Sequence, residues 1–257
     1  MDFKNKIYNE DCIETMKRIP DGSIDLMLTD PPYNTTACQW EYAINFELLW
    51  KEWLRIVKPN GAFIFTASQP FTTDLIMSNR AIFKYEIIWD KVVGNNPYAA
   101  KYQPMRIHEN ICVFYREQPT YNPIKKKREL KNQRPNSRGE KANVKEYNDT
   151  VFGNRKNGYA NDYDDTTVNP KSIIEFMKHP NSIGLHPTQK SVDLFRYLIK
   201  TYSNENNTVF DGYMGSGTTA IACIKEKRNY IGSELDEKYF EVATKRISDA
   251  KLQTSLF

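Results

Sequence analysis

The chain has 257 residues, of which 40% are hydrophobic, enough to core one large α/β domain or a domain with an inserted lobe, and disorder of the whole chain is excluded. The net charge of +4 is mild, and the four cysteines, Cys12, Cys38, Cys112 and Cys223, form no C-x-x-C pair, which excludes a disulfide frame and fits reduced thiols. His108, His179 and His186 lack zinc-site spacing and no run reaches membrane-spanning length or resembles a signal peptide, so a soluble intracellular protein with no metal and no membrane partner is expected.

Short apolar runs alternate with amphipathic stretches, as in strands linked by crossover helices in a largely parallel sheet. Ile7-Tyr8 is a strand candidate ending at Glu10-Asp11. Ile13, Met16 and Ile19 predict a short helix from Cys12 to Ile19, stopped by Pro20-Asp21-Gly22. The run from Ile24 to Thr29 is a buried strand. Phe46, Leu49, Trp50, Trp53, Leu54 and Val57 share one helical face over 45–58, which Pro59-Asn60-Gly61 closes, and Ala62 to Phe65 follows as a strand. A helix from Phe71 to Arg80 precedes strands near Tyr85 to Trp89 and Ile111 to Tyr115.

Beyond Tyr115 the periodicity dissolves. Residues 117–186 are polar, basic and rich in Asn, Tyr and Pro, and are expected to form an inserted lobe outside the sheet. Lys125, Lys126, Lys127, Arg128, Lys131, Arg134, Arg138, Lys141, Lys145, Arg155 and Lys156 crowd this stretch, either as a solvated surface or as an electrostatic footprint for a polyanion. Patterning resumes with a helix from Val192, a strand at Val209-Phe210, a helix over Ala220 to Lys227 and a strand from Tyr230 to Ser233.

Two blocks carry chemistry. Asp30-Pro31-Pro32-Tyr33 follows a strand directly, so a carboxylate, two prolines without N–H donors and an aromatic ring share one rigid turn. Such a turn is an acceptor pocket for an amino group on a planar ring. Asp211-Gly212-Tyr213-Met214-Gly215-Ser216-Gly217-Thr218-Thr219 links a strand to a helix, where glycines let backbone approach a ligand. Glu234 ends the next strand about twenty residues on, the place of an acidic group that accepts from ribose hydroxyls. The third glycine of a dinucleotide fingerprint is missing, and Asp211 suits a cationic amine such as the amino-acid end of S-adenosylmethionine.

These blocks, with His186-Pro187-Thr188-Gln189-Lys190-Ser191 between them, resemble in order and spelling the β-class DNA amino-methyltransferases, over nearly the whole chain except the lobe. The resemblance implies an α/β fold, a circularly permuted Rossmann-like S-adenosylmethionine-dependent methyltransferase sheet with an inserted target-recognition lobe. Its parts would be a catalytic half over 1–116, the basic lobe over 117–186 and a cofactor-binding half over 187–257. The resemblance also implies roles. Asp30, Pro31, Pro32 and Tyr33 would be catalytic; Asp11 and Cys12 would lie near the cofactor adenine and Glu234 on its ribose; Asp211, Gly215, Ser216, Gly217 and Thr218 would hold the methionine moiety, with Lys190 and Thr188 at its outer part.

Gly212, Ser191 and Glu10 depart from the family pattern, which has proline at the first two positions and glycine at the third, but none removes a reacting group. Aspartate at position 30 resembles the adenine-N6 enzymes, serine being more frequent in cytosine-N4 ones. The implied activity is methyl transfer to a flipped adenine in double-stranded DNA. A cytosine-N4 enzyme and a non-catalytic S-adenosylmethionine-holding DNA-binding protein are the alternatives, and members of this class often pair as homodimers.

Overall fold

A computed structural model describes residues 3–33, 45–95, 97–128, 166–177 and 189–254. The chain divides into two compact units, Met1–Asn122 with Lys171–Phe257, and Pro123–Pro170. In chain order the first unit contains β1 (Lys6–Tyr8), α1 (Cys12–Lys17), β2 (Ile24–Thr29), α2 (Phe46–Ile56), β3 (Val57–Ala67), α3 (Phe71–Ser78), β4 (Phe83–Asn95), a 3-10 turn (Pro97–Lys101) and β5 (Arg106–Tyr115). The second unit contributes β6 (Lys126–Lys127) and β7 (Thr167–Val168), an antiparallel pair. The first unit then resumes with β8 (Ile173–Glu175), α4 (Val192–Tyr202), β9 (Thr208–Asp211), α5 (Thr218–Lys225), β10 (Asn229–Ser233) and α6 (Glu237–Thr254).

Eight strands form one sheet in the order β1-β10-β9-β2-β3-β5-β4-β8. Strands β1, β10, β9, β2 and β3 run parallel, β5 is antiparallel to both β3 and β4, and β8 is parallel to β4. Side chains alternate across a strand, so neighbouring apolar residues feed opposite faces. Leu26, Leu28, Ala62, Ile64 and Val209 join the core under α4, α5 and α6, whereas Met27, Phe63, Phe65 and Phe210 join the core under α1, α2 and α3. Full burial on both faces explains why these strands read as continuous apolar runs.

Several elements exceed their sequence signals. Pro59-Asn60-Gly61 does not end the helix in a turn; it lies within β3, where the register jumps from Ile24 opposite Val57 to Leu26 opposite Ala62 and the extra residues bulge. Strands β4 and β5 extend well past their apolar centres as a hairpin, because backbone pairing continues where the side chains become exposed. Ile173–Glu175, in the stretch expected to lie outside the sheet, is an edge strand: Ile88 N–H donates to Ser172 O at 2.7 Å and Trp89 Nε1 to Phe176 O at 2.8 Å. No helix is predicted after Glu234, yet Phe240, Ala243, Ile247 and Ala250 repeat at helical spacing, and the last three are buried in α6.

Candidate active site

Strands β2 and β9 are adjacent and parallel, with Leu26 opposite Val209 and Met27 opposite Phe210. From β9 the chain continues through α5 to β10 on one side, and from β2 through α2 to β3 on the other. Their carboxyl ends therefore flank the topological switch where open α/β sheets bind ligands. The two sequence-predicted aspartates stand there, Asp211 as the last residue of β9 and Asp30 directly after β2. Thr29 bridges the strand ends by donating its hydroxyl to Asp211 Oδ1 at 2.7 Å.

Among the described residues, Asp30 is held through one oxygen. Its Oδ1 accepts from the Tyr33 hydroxyl at 2.6 Å and from the Thr66 hydroxyl, and Lys190 Nζ lies 3.0 Å away. Among the described residues Oδ2 has no hydrogen-bond partner. Tyr33 also donates within reach of Thr66 Oγ1 at 3.1 Å, stacks on Phe71 with centroids 5.3 Å apart, and has the Lys190 ammonium 5.2 Å from its ring centre. Burial and the neighbouring Asp30 raise the Tyr33 phenol well above its ordinary range, which keeps it a protonated donor.

Lys190 extends this cluster into a buried chain of alternating charge. Its Nζ lies 3.0 Å from Glu109 Oε2, and Glu109 Oε1 accepts from Lys91 Nζ at 3.0 Å. Lys91, Glu109 and Lys190 are 4%, 7% and 6% exposed, so each charge depends on its neighbour rather than on water. Burial works against the Glu109 carboxylate, but Lys190 and Lys91 outweigh it and hold the carboxyl down at about 2. Burial likewise opposes the Lys190 charge, which Asp30, Tyr33 and Glu109 hold well above the usual lysine range.

The second block forms the turn between β9 and α5. Gly215 and Gly217 take φ of 52° and 84°, a region that costs a side-chain-bearing residue about 1–2 kcal/mol. Gly215 N–H donates to Glu234 Oε2 at 2.7 Å and Asp236 N–H to Oε1 at 3.0 Å, which fixes the carboxylate at the end of β10. Asp211 accepts from Thr29, from Thr219 and from Tyr213 N–H, and burial pushes its carboxyl up to about 6 against these donors. Asp11 caps α1 by accepting from Ile13 N–H at 2.8 Å, and its side chain is exposed. Burial pushes the neighbouring Cys12 thiol up to about 11, far from a reactive thiolate.

A family model described as DNA methylase matches residues 24–245, from the start of β2 into α6. The chain belongs to the DNA methylase family. The DNA adenine methyltransferase YhdJ of Escherichia coli (strain K12) is 25% identical over 280 residues, which cover 95% of this chain and 83% of that relative. Among solved structures, M1.HpyAVI in complex with SAM aligns at a TM-score of 0.63 and 24% identity, covering 94% of this chain and 98% of the other. The cytosine-N4-specific PvuII DNA methyltransferase aligns at 0.65 and 15% identity, covering 97% and 92%. At these identities the two structures speak for the fold, an S-adenosylmethionine-dependent methyltransferase sheet.

This DNA methylase thus brings Asp30, Tyr33 and Lys190 into one cluster and Gly215 and Glu234 into another, with Asp211 joined to Thr29 between them. Lys190, expected at the outer part of the methionine pocket, is ion-paired with the aspartate of the Asp30-to-Tyr33 block. The Glu10 carboxylate accepts from Thr15 of α1 and from Arg18, which caps that helix. Thr188 lies outside the described residues, as do His186, Pro187 and most of the basic run; Lys125 to Arg128 are described.

Thr66, Glu109, Lys91 and Arg246 have no place among the sequence-predicted site residues. Thr66 follows Phe63-Ile64-Phe65 just as Thr29 follows Met27-Leu28, and a hydroxyl at the carboxyl end of an apolar strand is a readable signal. Arg246 on α6 donates to Ser216 O and, at 2.8 Å, to Ser216 Oγ, while Ala243 packs beneath Gly217, so an unpredicted helix supports the glycine turn. Among the described residues no group of three His, Cys, Asp or Glu side chains is placed to hold a metal, and no helix is long and apolar enough to cross a membrane.

Proposed function

We propose that this DNA methylase transfers a methyl group from S-adenosyl-L-methionine to the exocyclic N6 of an adenine flipped out of double-stranded DNA. The observation that carries this reading is the tethering of Asp30 through Oδ1 by groups from three parts of the chain, which among the described residues leaves Oδ2 to accept from an amino group. The target nitrogen cannot reach a methyl donor while stacked and paired, so the base must leave the helix. Asp30 Oδ2 and the Pro31 carbonyl then accept the two amino hydrogens and aim the nitrogen lone pair, with Tyr33 against the ring. Alignment supplies most of the acceleration. As the nitrogen attacks it gains positive charge, which the carboxylate stabilises more in the transition state than in the ground state. The proton leaves afterwards along the hydrogen bond to Asp30.

The turn and the end of β10 suit the cofactor, which supplies an electrophilic methyl group when bound. A Cβ at Gly215 would meet nothing within 4 Å, so open space lies beside Glu234, whose fixed carboxylate keeps lone pairs for ribose hydroxyls. Asp11 and Cys12 start α1, just after β1, whose Tyr8 pairs with Ser233 beside Glu234. Asp211 accepts from three donors and orients the turn, and its charge would favour the methionine ammonium. Gly215→Ala is expected to fold with about 1 kcal/mol of left-handed strain and to bind S-adenosylmethionine more weakly. Gly217→Ala should lose more stability, because its Cβ would also press Ala243 at 3.2 Å. Thermal unfolding with and without cofactor separates the two, and equal behaviour would remove the distinction.

Adenine is favoured by aspartate at position 30 and by likeness to the adenine methyltransferase YhdJ; cytosine-N4 is the second reading, since the same fold serves the cytosine-N4-specific PvuII enzyme. Lysines and arginines of the 125–156 run would contact phosphates, so methylation should weaken as salt rises. The deciding experiment is incubation with labelled S-adenosylmethionine and unmethylated duplex DNA, followed by mass spectrometry of the nucleosides. N6-methyladenine is expected; N4-methylcytosine would replace the base assignment, and no methylated base across a broad set of sequences would overturn the reading.

A further inference from the structure

The β4–β5 hairpin carries side chains that neither the fold nor the chemistry above uses. Strand β5 is antiparallel to β3 and pairs Asn110 with Ala67, so Arg106 to Glu109 continue past the carboxyl end of β3. The hairpin therefore projects from the sheet edge that bears Asp30, Thr66 and Asp211. At its tip Tyr98 and Tyr102 are each 90% exposed, and Val93 is 66% exposed. Two aromatic rings four residues apart are thus held out to solvent at the end of one hairpin. Residues 92–108 include Lys101, Arg106 and His108 and no aspartate or glutamate.

The tip is braced. Four residues bulge from β4 between Asp90 and Asn95, where Asp90 Oδ1 accepts from Val92 N–H at 2.7 Å and Val92 takes a φ of 66°. A Cβ at Gly94 would meet Met105 at 3.1 Å, so the bulge is packed against the opposite side of the loop. Arg106 Nη1 donates to Ser68 Oγ at 2.6 Å, tying the tip to the loop after β3. At the hairpin's base, Lys91 and Glu109 lead through Lys190 to Asp30. Bulges beside active sites re-aim side chains, and this one is rooted in the groups that hold the reacting carboxylate.

We infer that this tip is a duplex-engaging wedge, in which Tyr98 and Tyr102 stack against the bases exposed when the target nucleotide leaves the helix and Lys101 meets a neighbouring phosphate. The inference rests on the DNA methyltransferase reading. Flat rings are sequence-tolerant stacking partners for any base, and a basic tip without acidic residues complements a phosphate backbone. A second copy of this chain fits less well, because a self-complementary contact would bring like charges together.

The test compares wild type with the Tyr98→Ala/Tyr102→Ala double variant on two duplexes of one methylated sequence, the target base either paired or opposite an abasic site. Catalytic efficiency on the paired duplex should fall about tenfold to a hundredfold, the range of one or two lost stacking contacts. On the duplex whose target is already unpaired the loss should largely vanish, and the Tyr98→Phe/Tyr102→Phe variant should retain the wild-type rates. Equal losses on both duplexes, or none, would overturn the wedge. So would a change in sedimentation, which would make the tip an interface between copies. Wild-type protein that methylates no DNA would instead remove the underlying function, and the wedge with it.

Discussion

Asp30→Asn is expected to lower the single-turnover rate of methyl transfer by about a hundredfold to a thousandfold, the cost of losing one preorganised electrostatic partner of a transition state, while leaving cofactor affinity within a few-fold. The substitution keeps the side-chain shape and an oxygen for the Tyr33 and Thr66 hydroxyls. It removes the negative charge beside the nitrogen that becomes cationic during attack. The fold should survive, because Lys190 retains Glu109 at 3.0 Å and the glycine turn belongs to β9, α5 and β10. Calorimetric titration with S-adenosylmethionine checks the second half of the expectation. A variant that binds the cofactor and methylates DNA within tenfold of wild type would exclude the Asp30 charge from the chemistry and leave alignment of the target nitrogen to other groups.

The parts of this site that a reader finds in the sequence are those whose chemistry is local. Proline pairs fix one backbone turn, and glycines mark positions where positive φ is required, so Asp30 to Tyr33 and Gly215 to Gly217 stand out without a partner in view. The adjacency of β2 and β9 follows from the block order only through the resemblance, since nothing in either strand states its neighbour. Thr66 and Glu109 are harder because each acts through a residue far away in the chain. Glu109 lies at the exposed-to-buried transition of β5 and is explained by Lys91 and Lys190, which no periodicity links to it. Lys190 was legible as part of a motif, yet its position against Asp30 depends on tertiary packing. The hairpin tip is legible in the sequence only as a loop, because Tyr98 and Tyr102 lie in and just after a 3-10 turn, where no strand alternation marks which side chains are held out.

The buried charge chain makes the second large expectation one of stability. Glu109→Gln should destabilise the fold by about 3–5 kcal/mol, the usual cost of removing one partner of a buried ion pair. It leaves Lys91 without the carboxylate it donates to, and among the described residues it leaves Lys190 with Asp30 alone. The cost should depend on pH in a defined sense. The Glu109 carboxyl is depressed from an ordinary 4.5 to about 2, so its contribution is complete above 4.5 and is lost as pH falls toward 2, where the folded protein must also take up the proton. The difference between wild type and variant should therefore be level near neutrality and shrink below about pH 4.5. Asp211, pushed up to about 6 by burial, contributes an opposite slope between its ordinary 3.8 and that value, but both proteins share it and it cancels in the difference. Urea unfolding at neutral pH and at a series of acidic values measures the gap. Adding Lys91→Met to the variant should recover part of the loss by removing the orphaned cation, a non-additivity expected of groups in one network. A gap that neither narrows in acid nor responds to Lys91→Met would show that Glu109 contributes by packing and that Lys190 is held at Asp30 without it. If the gap behaves as expected, methyl transfer by the folded variant should also slow, because the full Lys190 charge then falls on Asp30 and weakens its support for the nitrogen cation.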